Sequence, residues 1–101
     1  MDELRELEAW YLAQCNGDWE HEYEIRIGNL DNPGWTVSIP LADTDLQDVP
    51  FAEINDMAAV RDWLHCWVED DQWRADGGPL MLTPMLRRFL DWAAAARSTA
   101  T

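Results

Sequence analysis

Lysine is absent. The 101-residue chain carries only seven arginines against 20 Asp and Glu, so its formal net charge is 7 − 20 = −13. A surface this negative repels nucleic acid and anionic lipid, because binding either requires clustered cations. Basic proteins and metal cations are the partners such a field attracts; the alternative is charge that only keeps the chain soluble. Cysteine is scarce as well. Cys15 and Cys66 are too few for the disulfide framework of a small secreted domain. No apolar run approaches the roughly 18 residues of a membrane span. The start Met1-Asp2-Glu3-Leu4-Arg5-Glu6 lacks the basic and apolar regions of a signal peptide. The expected setting is the cytoplasm, with both thiols reduced. Internal repeats and low-complexity linkers are also missing, and the length fits one domain, residues 1–101, around one core.

Aromatic residues are what the chain has in excess. It is 48% hydrophobic and contains seven tryptophans, ample for a packed core. Residues from about Glu3 to Gln14 read as a helix with Leu4, Leu7, Tyr11 and Cys15 on one stripe, widened by Trp10. Asp2 caps its start and Asn16-Gly17 stops it. From Glu20 to Leu30 the pattern alternates, with His21, Tyr23, Ile25 and Ile27 on one face and Glu20, Glu22, Glu24 and Arg26 on the other. Asp31-Asn32-Pro33-Gly34 then forms a turn, and Trp35 to Leu41 alternates again, closing an antiparallel hairpin.

Residues 42–57 read as a loop around Asp43, Asp45 and Asp48, followed by a short strand near Phe51 to Ile54. The segment Asp62 to Glu69 fits either period. Its aromatic and branched residues favour a central strand covered on both faces, turning at Asp70-Asp71 and returning through Gln72 to Ala75. Gly77-Gly78-Pro79 is a loop, Thr83 an N-cap and Pro84 the first residue of a last helix, which buries Leu86, Phe89, Leu90 and Ala93 beside Met85, Trp92 and Ala96. From Ala93 to Thr101 the tail reads as a fraying helix end. The expected class is α+β, an antiparallel β-sheet of about four to five strands flanked by an N-terminal and a C-terminal helix.

Catalytic constellations are hard to build. His65 and Cys66 are adjacent, so on a strand they point to opposite faces and cannot form a dyad. Cys15 lies at a helix C-terminus, which raises a thiol pKa where a nucleophile wants it lowered. Neither C-x-x-C nor H-x₃-H spacing occurs for zinc, and the Asp43/Asp45/Asp48 and Glu69-Asp70-Asp71 clusters lack the glycine and glutamate of a calcium loop. Glu22 and Glu24 share a strand face, but that face reads as exposed, too wet for acid–base work. Gly77-Gly78-Pro79 is not a phosphate loop. No catalytic residue, metal or cofactor is expected. Seven Trp exceed what one small core comfortably hides, so Trp19, Trp35 and Trp73, beside turns, either reach solvent as binding anchors or cover core edges.

The chain resembles the immunity protein 53 family of bacterial polymorphic-toxin systems. The resemblance rests on Trp10-Tyr11, Gln14 to His21, Leu30-Asp31-Asn32-Pro33-Gly34-Trp35, Asp62-Trp63 with Cys66, Val68-Glu69-Asp70, Gly77-Gly78-Pro79 and Phe89-Leu90-Asp91-Trp92-Ala93. It departs at Asn55-Asp56-Met57-Ala58-Ala59, where relatives carry Lys and Glu. The resemblance implies a cytoplasmic antidote that binds a cognate toxin, and a −13 inhibitor suits a basic, nuclease-like target. The expected docking surface is Glu20, Glu22 and Glu24 with the turns at Asp18, Trp19 and at Glu69, Asp70, Asp71, Trp73, together with Trp35. Some members carry a rhodanese-like sulfurtransferase label, which gives the alternative of a thiol enzyme using Cys66 or Cys15. The acidic, bulky Trp67 to Asp71 beside Cys66 argues against a persulfide loop, which wants N–H groups and cations. A carboxylate-rich cation-binding module is a third reading.

Overall fold

The computed structural model describes residues 2–57 and 60–99. It is an α+β arrangement: α1 (Glu3–Gln14), α2 (Trp19–Glu22), β1 (Arg26–Leu30), β2 (Gly34–Pro40), β3 (Ile54–Asp56), β4 (Leu64–Glu69), β5 (Gln72–Gly77) and α3 (Leu82–Thr99). The five strands form one sheet in the order β1-β2-β5-β4-β3, every pair antiparallel. The chain thus makes the hairpin β1–β2, crosses to the far edge for β3, and returns through β4 so that β5 closes against β2.

Register explains which residues become core. Val37 pairs with Ala75, which pairs with Cys66, and Ile39 pairs with Trp73. These side chains share one face, because strand side chains alternate. α1 and α3 cover that face, through Leu7 of α1 and Met85, Leu86, Phe89, Leu90 and Ala93 of α3. Phe89 lies at its centre, edge-on to Trp10 (ring centroids 5.0 Å apart) and to Trp73 (5.3 Å). At the rim Arg87 of α3 reaches across to α1, donating to Glu6 at 2.8 and 3.0 Å and to Glu3 at 3.3 Å. Gly34 is required where β2 meets β5, since a Cβ there would stand 2.2 Å from the Gly77 carbonyl oxygen.

The hairpin, the Asp70-Asp71 turn, the strand reading of residues 64–69 and both long helices agree with the sequence pattern. Asp2 does cap α1, its Oδ1 accepting from the Arg5 N–H at 3.1 Å. Several expectations fail. Residues 19–22 form a helical turn, so the first strand begins at Arg26 and Glu20, Glu22 and Glu24 do not share a strand face. The short third strand overlaps its expected span only at Ile54. β4 is covered on one face only: Leu64 and Cys66 are buried, while His65 and Trp67 on the other side are half-exposed. α3 starts at Leu82, which places Thr83 and Pro84 inside its first turn, where the missing Pro N–H is still harmless. On α1 only Leu7 of the expected stripe is buried, Leu4 being 57% exposed. The tail is helical through Thr99; Ala58, Ala59, Ala100 and Thr101 lie outside the described residues.

Tryptophan is also placed differently from expectation. Trp73 is fully buried and Trp19 is 3% exposed, so neither can anchor a partner. Trp35 is half-buried, as are Trp10, Trp63, Trp67 and Trp92. Trp10, Trp35 and Trp92 pack against the core, Trp67 lies on the open sheet face, Trp73 Nε1 is buried without a hydrogen-bond partner, and three of the indoles bind distant backbone. Trp19 Nε1 donates to Ala42 O, Trp35 Nε1 to Pro79 O and Trp92 Nε1 to Pro50 O, at 2.9–3.0 Å. An amphipathic ring of this kind buries its body while satisfying its one donor at a loop carbonyl.

Candidate functional site

Local hydrogen bonding shapes the acidic segment after α1. Asn16 Oδ1 accepts from the N–H groups of Asp18 and Trp19 at 3.0 Å each, and Gly17 takes the left-handed conformation (φ 95°). Glu20 turns back on this loop, its two carboxylate oxygens accepting from the N–H groups of Asn16 and Gly17 at 2.9 Å each. The backbone N–H of Glu20 itself, with those of Asn16 and Gly17, holds its carboxyl below the ordinary value. Trp19 anchors the segment from beneath, against Trp10, Tyr11 and Tyr23.

The result is a ridge, residues 20–25, with a groove on each side. One groove, of about 830 Å³, runs between the ridge and the uncovered sheet face, with Thr36, Ser38, Gln72 and Arg74 on its floor. Ser38 hydrogen-bonds Gln72 there. Arg74 Nε is buried without a hydrogen-bond partner, and Arg74 makes no ion pair among the described residues. The other groove, about 420 Å³, lies between the ridge and α1. Glu24, on the crest, pairs with Arg26 at 2.6 Å.

Further carboxylates converge on the ridge from other segments. Tyr23 donates its hydroxyl to Asp43 Oδ2 at 3.2 Å. That bond first, then burial, then the charges of Asp43, Glu22 and Asp71, raise the Tyr23 pKa. Asp71 is held close because its carbonyl accepts from the Leu41 N–H at 2.8 Å. Asp43, Asp48, Asp70 and Asp71 all have φ between 54° and 64°, a region where Gly or Asn is easier.

Of the residues expected at the docking surface, Glu20, Glu22 and Glu24 come together along the groove, while Asp18, Asp70 and Asp71 are exposed on turns. Glu69 is exposed on the open sheet face, accepting from Trp67 Nε1 at 3.1 Å. Trp35 stands apart: it pairs with Gly77, five strand positions from the Pro40–Gln72 pair, or about 17 Å along the sheet. Trp19 and Trp73 lie in the interior. Glu8, Tyr11, Tyr23 and Asp43 are the additions. The acid–aromatic spacing of Glu8 and Tyr11 along one helix face was the available signal, obscured by counting Tyr11 as core.

The thiols offer no activated nucleophile. Cys66 is fully buried, and desolvation pushes its pKa up to about 12, the reverse of what attack requires. Cys15 donates its thiol proton to the Tyr11 carbonyl at 3.4 Å. His65, on the face opposite Cys66, stacks on Trp67 (4.3 Å) with Nε2 2.6 Å from Glu53. Among the described residues no three His, Cys, Asp or Glu side chains converge as a metal site, and no helix is long and apolar enough to cross a membrane.

No curated protein and no solved structure matches the chain. The sequence profile of the family described as Immunity protein 53 matches residues 4–94, nearly the whole fold from α1 into α3. The chain belongs to the immunity protein 53 family.

Proposed function

We propose that the protein is the antidote of a bacterial polymorphic-toxin system: it binds a cognate toxin domain and neutralises it by covering a basic, nuclease-like active site. Membership of the immunity protein 53 family carries this reading. The carboxylates gathered on the α2–β1 ridge, in a chain of net charge −13, favour a basic protein as partner over nucleic acid or lipid. Carboxylates laid over a phosphate-binding groove both steer the encounter and mimic the displaced anion. The whole chain acts as one binding unit, without chemistry of its own, in the cytoplasm where the toxin would otherwise act.

The test is co-expression with the toxin domain encoded next to the chain. Growth should be restored, and the two purified proteins should form a stoichiometric complex on gel filtration. Continued killing by a toxin that never binds the chain is the result that sinks the reading. Reversing Glu22 and Glu24 together to Lys should slow association roughly tenfold at low salt and flatten its salt dependence. Unchanged kinetics would remove the ridge from the interface.

A further inference from the structure

The groove between α1 and the ridge differs in chemistry from the wider one over the sheet. Leu7 and Ile25 form its apolar floor, Tyr11 and Tyr23 its walls, and Glu8, Glu20 and Glu24 its rim. Its volume of about 420 Å³ falls in the usual range for a built binding pocket. The walls are fixed before anything binds. Trp19 backs both tyrosines, with ring centroids 6.0 Å from Tyr11 and 5.6 Å from Tyr23, and the Tyr23 hydroxyl is held by Asp43. Glu20 is fixed by its two backbone hydrogen bonds. Cations are near but lie outside: Arg5 pairs with Glu8 at 3.6 Å and Arg26 with Glu24, both pairs largely solvent-exposed and therefore readily exchanged. Beside the mouth, α1 presents Leu4 and the 72% exposed Leu12, each one turn from Glu8, an unusual amount of apolar surface for an outward helix face.

We propose that this pocket receives one arginine side chain of the protein partner, its guanidinium between the two tyrosine rings and the glutamate rim and its methylene stem on Leu7 and Ile25. Each part has a physical reason. A planar guanidinium stacks on tyrosine faces and sheds water more easily than an ammonium. It also reaches carboxylates in a fork, whereas lysine offers only a point charge. The apolar collar of Leu4 and Leu12 would exclude water around the inserted charge, as the surround of a binding anchor does. Walls that need no rearrangement lower the ordering cost of binding.

This inference rests on the reading of the chain as a protein-binding antidote, and two measurements separate their failures. The first uses the chain alone: a nuclear magnetic resonance titration with acetyl-Gly-Arg-Gly-amide at about 0.15 M salt, where long-range attraction is screened. The Tyr11 and Tyr23 ring signals should shift selectively, less with the lysine peptide, and not with the neutral citrulline peptide. Diffuse shifts at every carboxylate, or equal shifts with citrulline, would overturn the pocket. The second uses the toxin complex. Glu8→Arg, at an exposed helix position and with its fold checked by circular dichroism, fills the mouth with a like charge and should weaken binding at least tenfold. Leu80→Ala, on an exposed loop, should not. A toxin that binds wild type and Glu8→Arg equally well removes the pocket and leaves the antidote reading standing. A toxin that binds neither removes that reading, and the peptide titration then decides the pocket by itself.

Discussion

The two faces of the sheet are built from neighbouring residues and do opposite things. On one, Val37, Ile39, Cys66, Trp73 and Ala75 lie under two helices and are almost dry. On the other, Thr36, Ser38, His65, Trp67, Gln72 and Arg74 remain half-exposed, with the acidic ridge along one side. One residue of register separates them, so a single slip would exchange core for surface. Aromatic content and acidity serve different ends here. Tryptophan mainly closes the fold, and the carboxylates on the ridge and the tight turns are left to meet whatever comes.

Substitutions at matched positions should expose this division, beginning with the largest effect. Trp73→Ala opens a cavity under Phe51 and Phe89 and should lower stability by about 3–5 kcal/mol in urea unfolding. Trp67→Ala, its diagonal neighbour on the open face, should lower it by only about 1 kcal/mol. Equal losses would mean that the open face is structural after all. Trp92→Phe keeps most of the ring but leaves Pro50 O without its donor, and should remove about 1 kcal/mol.

Reactivity separates the thiols in the same way. An alkylating reagent at pH 8 should label half-exposed Cys15 while Cys66 reacts only on unfolding. Because burial raises the Cys66 pKa, its stabilising contribution is complete below the ordinary value of 9.0 and is lost as pH rises toward about 12. Glu6 has the opposite sign. Its hydrogen bond from Arg87 lowers its pKa, so its contribution is present above the ordinary 4.5 and is lost as pH falls through the folded value. Glu6→Gln should therefore flatten the acid limb of the stability curve. The smallest effect is a gain: Asp71→Gly relieves a left-handed aspartate and should add about 0.5–1 kcal/mol, visible as a small rise in melting temperature.

The elements legible in the sequence are those with strong local signals. The Asn32-Pro33-Gly34 turn, the Asp70-Asp71 turn and the stripe Leu86, Phe89, Leu90, Ala93 each specify their own geometry. The segment 19–25 misled because its period-two alternation of acids is also what a capped turn followed by an extended link presents. The deciding contact, Glu20 onto the Asn16 and Gly17 amides, is a side-chain bond that periodicity does not encode. The site was legible as charge but not as shape. Glu20, Glu22, Glu24 and Asp71 could be named, whereas the pocket walls at Tyr11 and Tyr23 depend on Trp19 being buried beneath them.

The indole bonds from Trp19, Trp35 and Trp92 join positions 23, 44 and 42 residues apart, spans that small secreted domains close with cross-links. Both cysteines are free, so no reductant can loosen the fold by cutting one bond. An indole N–H and a backbone carbonyl do not titrate in the working range, and salt screens them little. These three indole ties therefore respond to neither redox state nor ionic strength, whereas the Arg87–Glu6 tie, 81 residues apart, loosens in acid.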